Sequence, residues 1–243
     1  MTRWDQFGTD YDFPEFTGTP RSYLIATTPR CGSHYLGHLL RNTGVLGSPL
    51  EYFSRGRITD WQARLGTATR KELFSQLLRR RTSPSGWFGV KAHWPQFEHV
   101  MSDPMLLDLF RLERFVQLVR SDRLAQAVSL VIAQQTSAWI SFHALKRQPV
   151  YDAPAIAAAL AGIDHQLSCW QAFFLSRGIE PLVLDYDDLV ADPAACVQRV
   201  RDRCGLPATA ASRPVSLLPQ RQASAVNREW ADRFRAERPA AAA

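Results

Sequence analysis

Residues 22–40 read SYLIATTPRCGSHYLGHLL. The apolar run from Tyr23 to Thr28 predicts a buried strand, and Ser33 to Thr43 carries Tyr35, Leu36, Leu39 and Leu40 at helical spacing. Between them Pro29-Arg30-Cys31-Gly32-Ser33 predicts a tight turn, with Ser33 as an early capping residue. A strand that feeds a small-residue turn opening a helix aims backbone N–H groups and the positive end of a helix at one spot. Such a spot suits an anion, and phosphate is the anion it suits best. The turn is not a Walker A loop, because a single Gly32 stands between Cys31 and Ser33 and the Walker lysine is absent.

The surrounding chain of 243 residues is 46% hydrophobic, which predicts one globular domain. We expect an irregular arm over residues 1–20, a domain over 21–238 and a disordered tail over 239–243. The formal charge of +6 comes mainly from arginine, with Lys71, Lys91 and Lys146 as lysines, and favours an anionic partner. The arginines are spread along the chain with no finger or RNP-like pattern, so nucleic acid is not the expected partner. No apolar run approaches the roughly 18 residues of a membrane span, and the start has no signal-peptide core, so a cytoplasmic protein is expected. Cys31, Cys169, Cys196 and Cys204 have neither CxxC nor disulfide-dense spacing, which predicts reduced thiols.

Further along, Val45 to Phe53 (VLGSPLEYF) reads as a loop with Glu51 as its carboxylate, and Thr69 to Arg81 as a helix. Trp87 to Trp94 predicts a strand carrying Lys91 and His93 near its end, with a helix from Pro95. A strand over Arg114 to Arg120 leads into a long helix over Asp122 to Phe142. Asp152 to Arg177 is a helix ended by Gly178, Pro181 to Tyr186 a strand, Pro193 to Cys204 a helix and Val226 to Arg238 a terminal helix. Strands separated by helices imply an α/β fold with a central parallel sheet covered on both faces. Ligands of such sheets bind beyond the carboxyl ends of the strands, where Arg30, Glu51, Lys91, His93 and Arg120 all fall.

Other readings of these residues are less complete. Cys31 at a helix start could be an acidified thiolate, but a cysteine phosphatase needs an arginine where Gly37 stands. His34 and His38 have the i, i+4 spacing of a metal pair but lack a third ligand, so no metal is expected. Arg120 at a strand end and Ser129 nine residues further on can face one crevice and hold a phosphate.

Taken together the segments resemble sulfotransferases that use 3′-phosphoadenosine 5′-phosphosulfate (PAPS). TPRCGSHYL resembles their 5′-phosphosulfate loop, RSDRLAQAVSL their 3′-phosphate motif, and DYDDLVADPAACVQRVRDRCGLP their Y-[ED]-D-L-x-x-D-P segment. With GSPLEYF, GVKAHW, AQQTSAW and RQASAVNREWADRFR following in order, the chain is most similar to bacterial carbohydrate sulfotransferases of the trehalose 2-sulfotransferase type, and more loosely to Nod-factor sulfotransferases. Cys31 stands where a small hydroxyl residue is usual, and Arg30 replaces a lysine.

The resemblance implies PAPS as sulfuryl donor, no metal, a carbohydrate or glycolipid acceptor and a homodimer. It assigns the donor to Arg30, the amides of Cys31, Gly32, Ser33 and His34, the pair Arg120 and Ser129, and Arg221. It implies Glu51 as general base, with His93 as the competing base and Lys91 near the sulfate. Asp185 and Asp187 could instead imitate a Walker B acid, which keeps a P-loop kinase as the in-class rival; a nucleotide- or nucleic-acid-binding module is the other. Acceptor contacts fall to Leu46 to Gly66 and Gln134 to Tyr151, with Trp61, Trp94 and Trp139 as possible ring-stacking residues.

Overall fold

The computed structural model describes residues 7–139, 147–207 and 225–237. Strands β1 (Arg21–Thr27), β2 (Trp87–His93), β3 (Leu112–Val119) and β4 (Leu182–Asp185) form one sheet in the order β2-β1-β3-β4. All pairings are parallel, so the carboxyl ends of the four strands lie along one edge. This is the α/β fold that the alternation of strands and helices predicts.

Apolar residues run almost unbroken along β1 because both faces of the sheet are covered. On one face Leu24, Ala26, Phe88, Val90 and Phe115 pack with helices α3 (Arg70–Arg81), α4 (Trp94–Met101), α5 (Pro104–Phe110) and α7 (Ala153–Arg177). Tyr23, Ile25, Val116, Leu118 and Leu184 point the other way, to α1 (Ser33–Asn42) and α9 (Pro193–Arg203). A third apolar cluster joins α6 (Arg123–Thr136) and α7 to α10 (Ala225–Glu237) through Val131, Ile163, Trp230 and Phe234. Each fully buried side chain of this size contributes about 1.5–3 kcal/mol, so apolar burial fixes the sheet.

Capping sets several predicted boundaries. Thr69 accepts the Glu72 N–H at 3.2 Å while Glu72 accepts the Thr69 N–H at 3.2 Å, a reciprocal box that starts α3. Asp152 accepts the Ala155 N–H at 2.9 Å to start α7, which ends at left-handed Gly178. At α1, however, Gly32 and not Ser33 occupies the cap position, without a side-chain bond.

Other boundaries depart from expectation. Beyond the expected loop Val45 to Phe53, a helix that the residues did not announce, α2, spans Arg55–Leu65. Ile58, Trp61 and Leu65 form its inner face, but Ser54 makes no side-chain cap bond and the polar face is rich in arginine. The helix after Pro95 is two helices, with Asp103 capping α5. β4 ends at Asp185, whose carboxylate caps α8 (Tyr186–Ala191) at once. α6 stops at Thr136 and not at Phe142. There the Thr136 hydroxyl donates to the Ile132 carbonyl at 2.7 Å and accepts the Ala138 N–H at 3.3 Å, and Ser137 turns left-handed with φ 58°. Residues 140–142 lie outside the described residues.

The core also braces the edge of the site. Trp170 of α7 is fully buried and donates its Nε1–H to the Thr27 carbonyl at the end of β1, at 3.1 Å. Trp170→Phe keeps most of the apolar volume and loses this bond, so unfolding in urea should show stability lower by about 1–3 kcal/mol. An unchanged midpoint would show that the bond does not contribute.

Candidate active site

The turn after β1 is held from below. Gln126 of α6 is fully buried and donates its Nε2–H groups to the Thr28 hydroxyl at 2.8 Å and the Pro29 carbonyl at 2.6 Å. Arg30 (φ 66°) and Gly32 (φ 85°) are left-handed, and such turns curl successive N–H groups toward a concave surface. Gly32 is required twice over, because an added Cβ would meet the Tyr186 ring at 2.6 Å. The amides of Ser33 and His34 open α1 and have no intrahelical acceptor. Cys31 contributes no side chain to this surface: its thiol is fully buried and hydrogen-bonded to the Thr27 hydroxyl. The departure from a hydroxyl residue at this position therefore falls on the core side of the turn.

Two guanidiniums converge above it. Arg30 donates from Nε to the Ser129 hydroxyl at 3.0 Å and from Nη1 to the Trp139 carbonyl. Arg120 lies across the turn, its Nη1 3.5 Å from the Arg30 carbonyl and its guanidinium 4.8 Å from the centre of the Tyr186 ring. Arg120 Nε is buried without a hydrogen-bond partner among the described residues. Burial, and then the charge of Arg120, push the Arg30 pKa down to about 10, with Tyr186 and Cys31 pulling the other way. Like charges held this close call for an anion between them. Ser129 thus meets Arg30 directly, and the expected pair with Arg120 becomes a cluster of three. Arg221 lies outside the described residues.

One strand over, the acid is set by backbone contacts. Leu50 makes a single parallel bridge to Val90, and the Lys91 N–H donates to the Leu50 carbonyl at 3.1 Å. Gly37 lets α1 back against this loop, since a Cβ there would lie 2.7 Å from the Pro49 carbonyl oxygen. Glu51 then accepts a hydrogen bond from Lys91 Nζ at 2.6 Å on Oε1 and from Gln96 Nε2 at 3.0 Å on Oε2. His93 Nε2 is 3.8 Å from the same Oε1. Gln96 also accepts the His93 N–H at 3.0 Å, so one amide ties both candidate bases together. No spacing in the sequence marks Gln96; its role depends on where α4 starts relative to Glu51.

Because Thr27 pairs with His93 in register, this cluster adjoins the anion turn. Burial alone would raise the Glu51 carboxyl, but Lys91, His93 and the bonds from Lys91 and Gln96 outweigh it and hold the group well below the usual carboxylate range. Burial lowers the His93 pKa, with Glu51 opposing, so the ring is neutral near pH 7. His34 and His38 face each other at 3.2 Å, and His38 is pushed down to about 4 by burial and by Lys91 and Arg41. No group of three metal-ligating side chains occurs among the described residues.

Other candidates are placed less favourably. Asp185 accepts the Ser121 hydroxyl at 2.6 Å and the Asp187 N–H at 2.8 Å, so its two oxygens are engaged in structure and not in a Walker B role. Trp61 is fully buried against Phe7 and Tyr52, and cannot stack on a sugar. Trp94 packs edge-on to Trp170. Trp139 is 45% exposed beside Arg30.

The turn with its two arginines and the lysine-bound carboxylate thus lie at the same edge of a parallel sheet. Residues 22–237 match the family model described as Stf0 sulphotransferase, and the chain belongs to that family. It is 32% identical to trehalose 2-sulfotransferase of Mycobacterium tuberculosis (strain ATCC 35801 / TMC 107 / Erdman), covering 90% of this chain and 96% of that protein. The protein of the same name from Mycolicibacterium smegmatis (strain ATCC 700084 / mc(2)155) is 26% identical over 89% of this chain and 95% of its own length. Nodulation protein H of Rhizobium meliloti (strain 1021) is 28% identical over 78% of this chain and 79% of its own length.

Glu51 has its pKa depressed by folding, so its contribution to stability is present above the unfolded value of 4.5 and is lost as pH falls below it. Lys91→Met should move the carboxyl titration of Glu51 upward, read by carbon-13 NMR. A titration that stays in place would show that Lys91 is not what holds the carboxylate.

Proposed function

We propose that this chain transfers a sulfuryl group from PAPS to a hydroxyl of a carbohydrate acceptor, trehalose-like in type. The observation that carries the reading is the Glu51–Lys91 ion pair at the end of β2, one strand from the turn where Arg30, Ser129 and Arg120 converge. The residues present suit the donor: Arg120 has a buried N–H with no partner among the described residues, and the left-handed turn at Arg30 and Gly32 curls backbone N–H groups toward one concave surface. Arg30 and the amides of Cys31 to His34 would hold the 5′-phosphosulfate, and Arg120 with Ser129 the 3′-phosphate.

In this reading Glu51 takes the proton of the acceptor hydroxyl as its oxygen attacks sulfur in line. The bond between sulfur and the bridging phosphate oxygen breaks, and adenosine 3′,5′-bisphosphate leaves with the electron pair. Lys91 and Arg30 stabilise the charge that builds on that oxygen. As Lys91 turns toward it, Glu51 loses part of the charge that depresses its pKa, so its proton affinity rises in the step that needs a base. The transferred group carries less negative charge than a terminal phosphoryl group, so positioning and fixed cations supply the catalysis without a required metal. His93 is the second reading for the base, because its neutral ring lies 3.8 Å from Glu51. The resemblance also carries a homodimer into the proposal, and the pattern of apolar residues a cytoplasmic setting; no helix among the described residues is long and apolar enough to cross a membrane.

The test is a panel of sugars, trehalose among them, with PAPS labelled in the sulfuryl group and the product identified by mass. Magnesium-dependent consumption of ATP with no use of PAPS would favour the kinase instead. Glu51→Gln should lower turnover about 100-fold or more, leaving donor affinity little changed; near-normal activity there together with a dead His93→Ala would transfer the role to His93. Arg120→Ala should weaken binding of adenosine 3′,5′-bisphosphate in calorimetry, and unchanged affinity would remove Arg120 from the donor site.

A further inference from the structure

A second basic cavity, of about 380 Å³, opens between α2, the end of α4 and the start of α5. Arg55, Arg70, His99, Ser102 and Asp103 supply its polar walls. Arg55 pairs with no acid among the described residues. Arg70 lies 3.4 Å from Asp103, and its Nε and Nη2 make no hydrogen bond. His99 is 6% exposed. Burial and the charges of Arg55 and Arg70 lower its pKa, only partly offset by the carbonyls of Pro95 and Gln96. Asp103 is also occupied as the cap of α5, accepting the Leu106 N–H at 3.4 Å, and the Ser102 hydroxyl donates to the His99 carbonyl at 2.9 Å. The walls therefore hold two cations and unused N–H capacity against one engaged acid, which suits an oxyanion.

The cavity lies beside the proposed base. Gln96, which holds Glu51, and His99 are three residues apart on α4, so their Cβ atoms are about 5–6 Å apart on one face. Arg55 opens α2 four residues after Glu51. In the proposed reading an acceptor with its hydroxyl at Glu51 extends along α4 toward the two arginines. We propose that this cavity receives an anionic substituent of a trehalose-like acceptor, a carboxylate or a phosphate, so that within that class of sugars the chain favours charged members over neutral ones. The inference rests on the reading that the acceptor meets Glu51.

Matched acceptors test it: glucose and trehalose against glucuronic acid and glucose 6-phosphate, with PAPS as donor. The wild-type protein should use at least one charged sugar with kcat/KM about 10-fold or more above its neutral counterpart. Arg55→Ala and Arg70→Ala should each raise KM for that sugar about 10- to 100-fold and leave neutral sugars unaffected. Equal use of charged and neutral sugars, or an unchanged KM in both variants, overturns the proposal. A binding arm separates it from the transferase reading. With adenosine 3′,5′-bisphosphate saturating the anion turn, calorimetry should detect glucose 6-phosphate or glucuronic acid binding to wild type and at least about 10-fold weaker binding to Arg55→Ala. Absence of binding to wild type, or equal binding to both proteins, overturns the cavity's role. Binding that depends on Arg55, in a protein that sulfates no sugar, keeps the anion cavity and removes the transferase reading.

Discussion

Lys91 is a cation on a strand packed on both faces, and it is 3% exposed. A charge so withdrawn from water is stable only with an opposite charge and good hydrogen bonds beside it. Glu51 supplies both, and the arrangement of the neighbourhood follows. The loop before α2 must run along the edge of β2 for the carboxylate to arrive, and α1 must be thin at Gly37 for the loop to fit. His93 and His38 are kept neutral by burial, with the lysine charge adding to the effect, so the ammonium is the principal cation facing the acid.

The anion turn answers the opposite problem. Arg30 and Arg120 are brought together across the turn, and Arg30 sits in a left-handed backbone conformation that costs a non-glycine residue on the order of 1 kcal/mol. Such a cluster stores unfavourable charge and backbone energy where a polyanion would relieve it. Gln126 is what keeps the turn from relaxing, because its amide ties two consecutive turn residues to the first turn of α6. The helix that bears Ser129 therefore also fixes the loop that bears Arg30.

Much of this was legible in the residues. The four strands are short apolar runs, and α3 and α7 carry their own caps in Thr69, Glu72, Asp152 and Gly178. Arg30, Glu51, Lys91, Arg120 and Ser129 stood out because each falls at or beyond a strand end, within segments that resemble sulfotransferase motifs in the expected order. What was not legible depends on partners distant in sequence. Cys31 turns inward because Thr27 and the core receive it, and Gln96 and Gln126 are neutral amides whose neighbours are 45 and about 98 residues away. α2 was hidden by its arginines and by the lack of a capping bond, and α6 ended early because the Thr136 hydroxyl competes with the helix for backbone partners.

The one-rung bridge between Leu50 and Val90 has a consequence for how such a protein can diversify. It is made of main-chain atoms, as is the bond from Lys91 to Leu50, so the acid is positioned by contacts that almost any neighbouring side chains would permit. The helix that follows begins only four residues later and is free to change its exposed surface. If Glu51 is the base as proposed, a chain of this kind can rewrite α2 while the carboxylate stays at its station, which separates the evolution of choice from the evolution of chemistry.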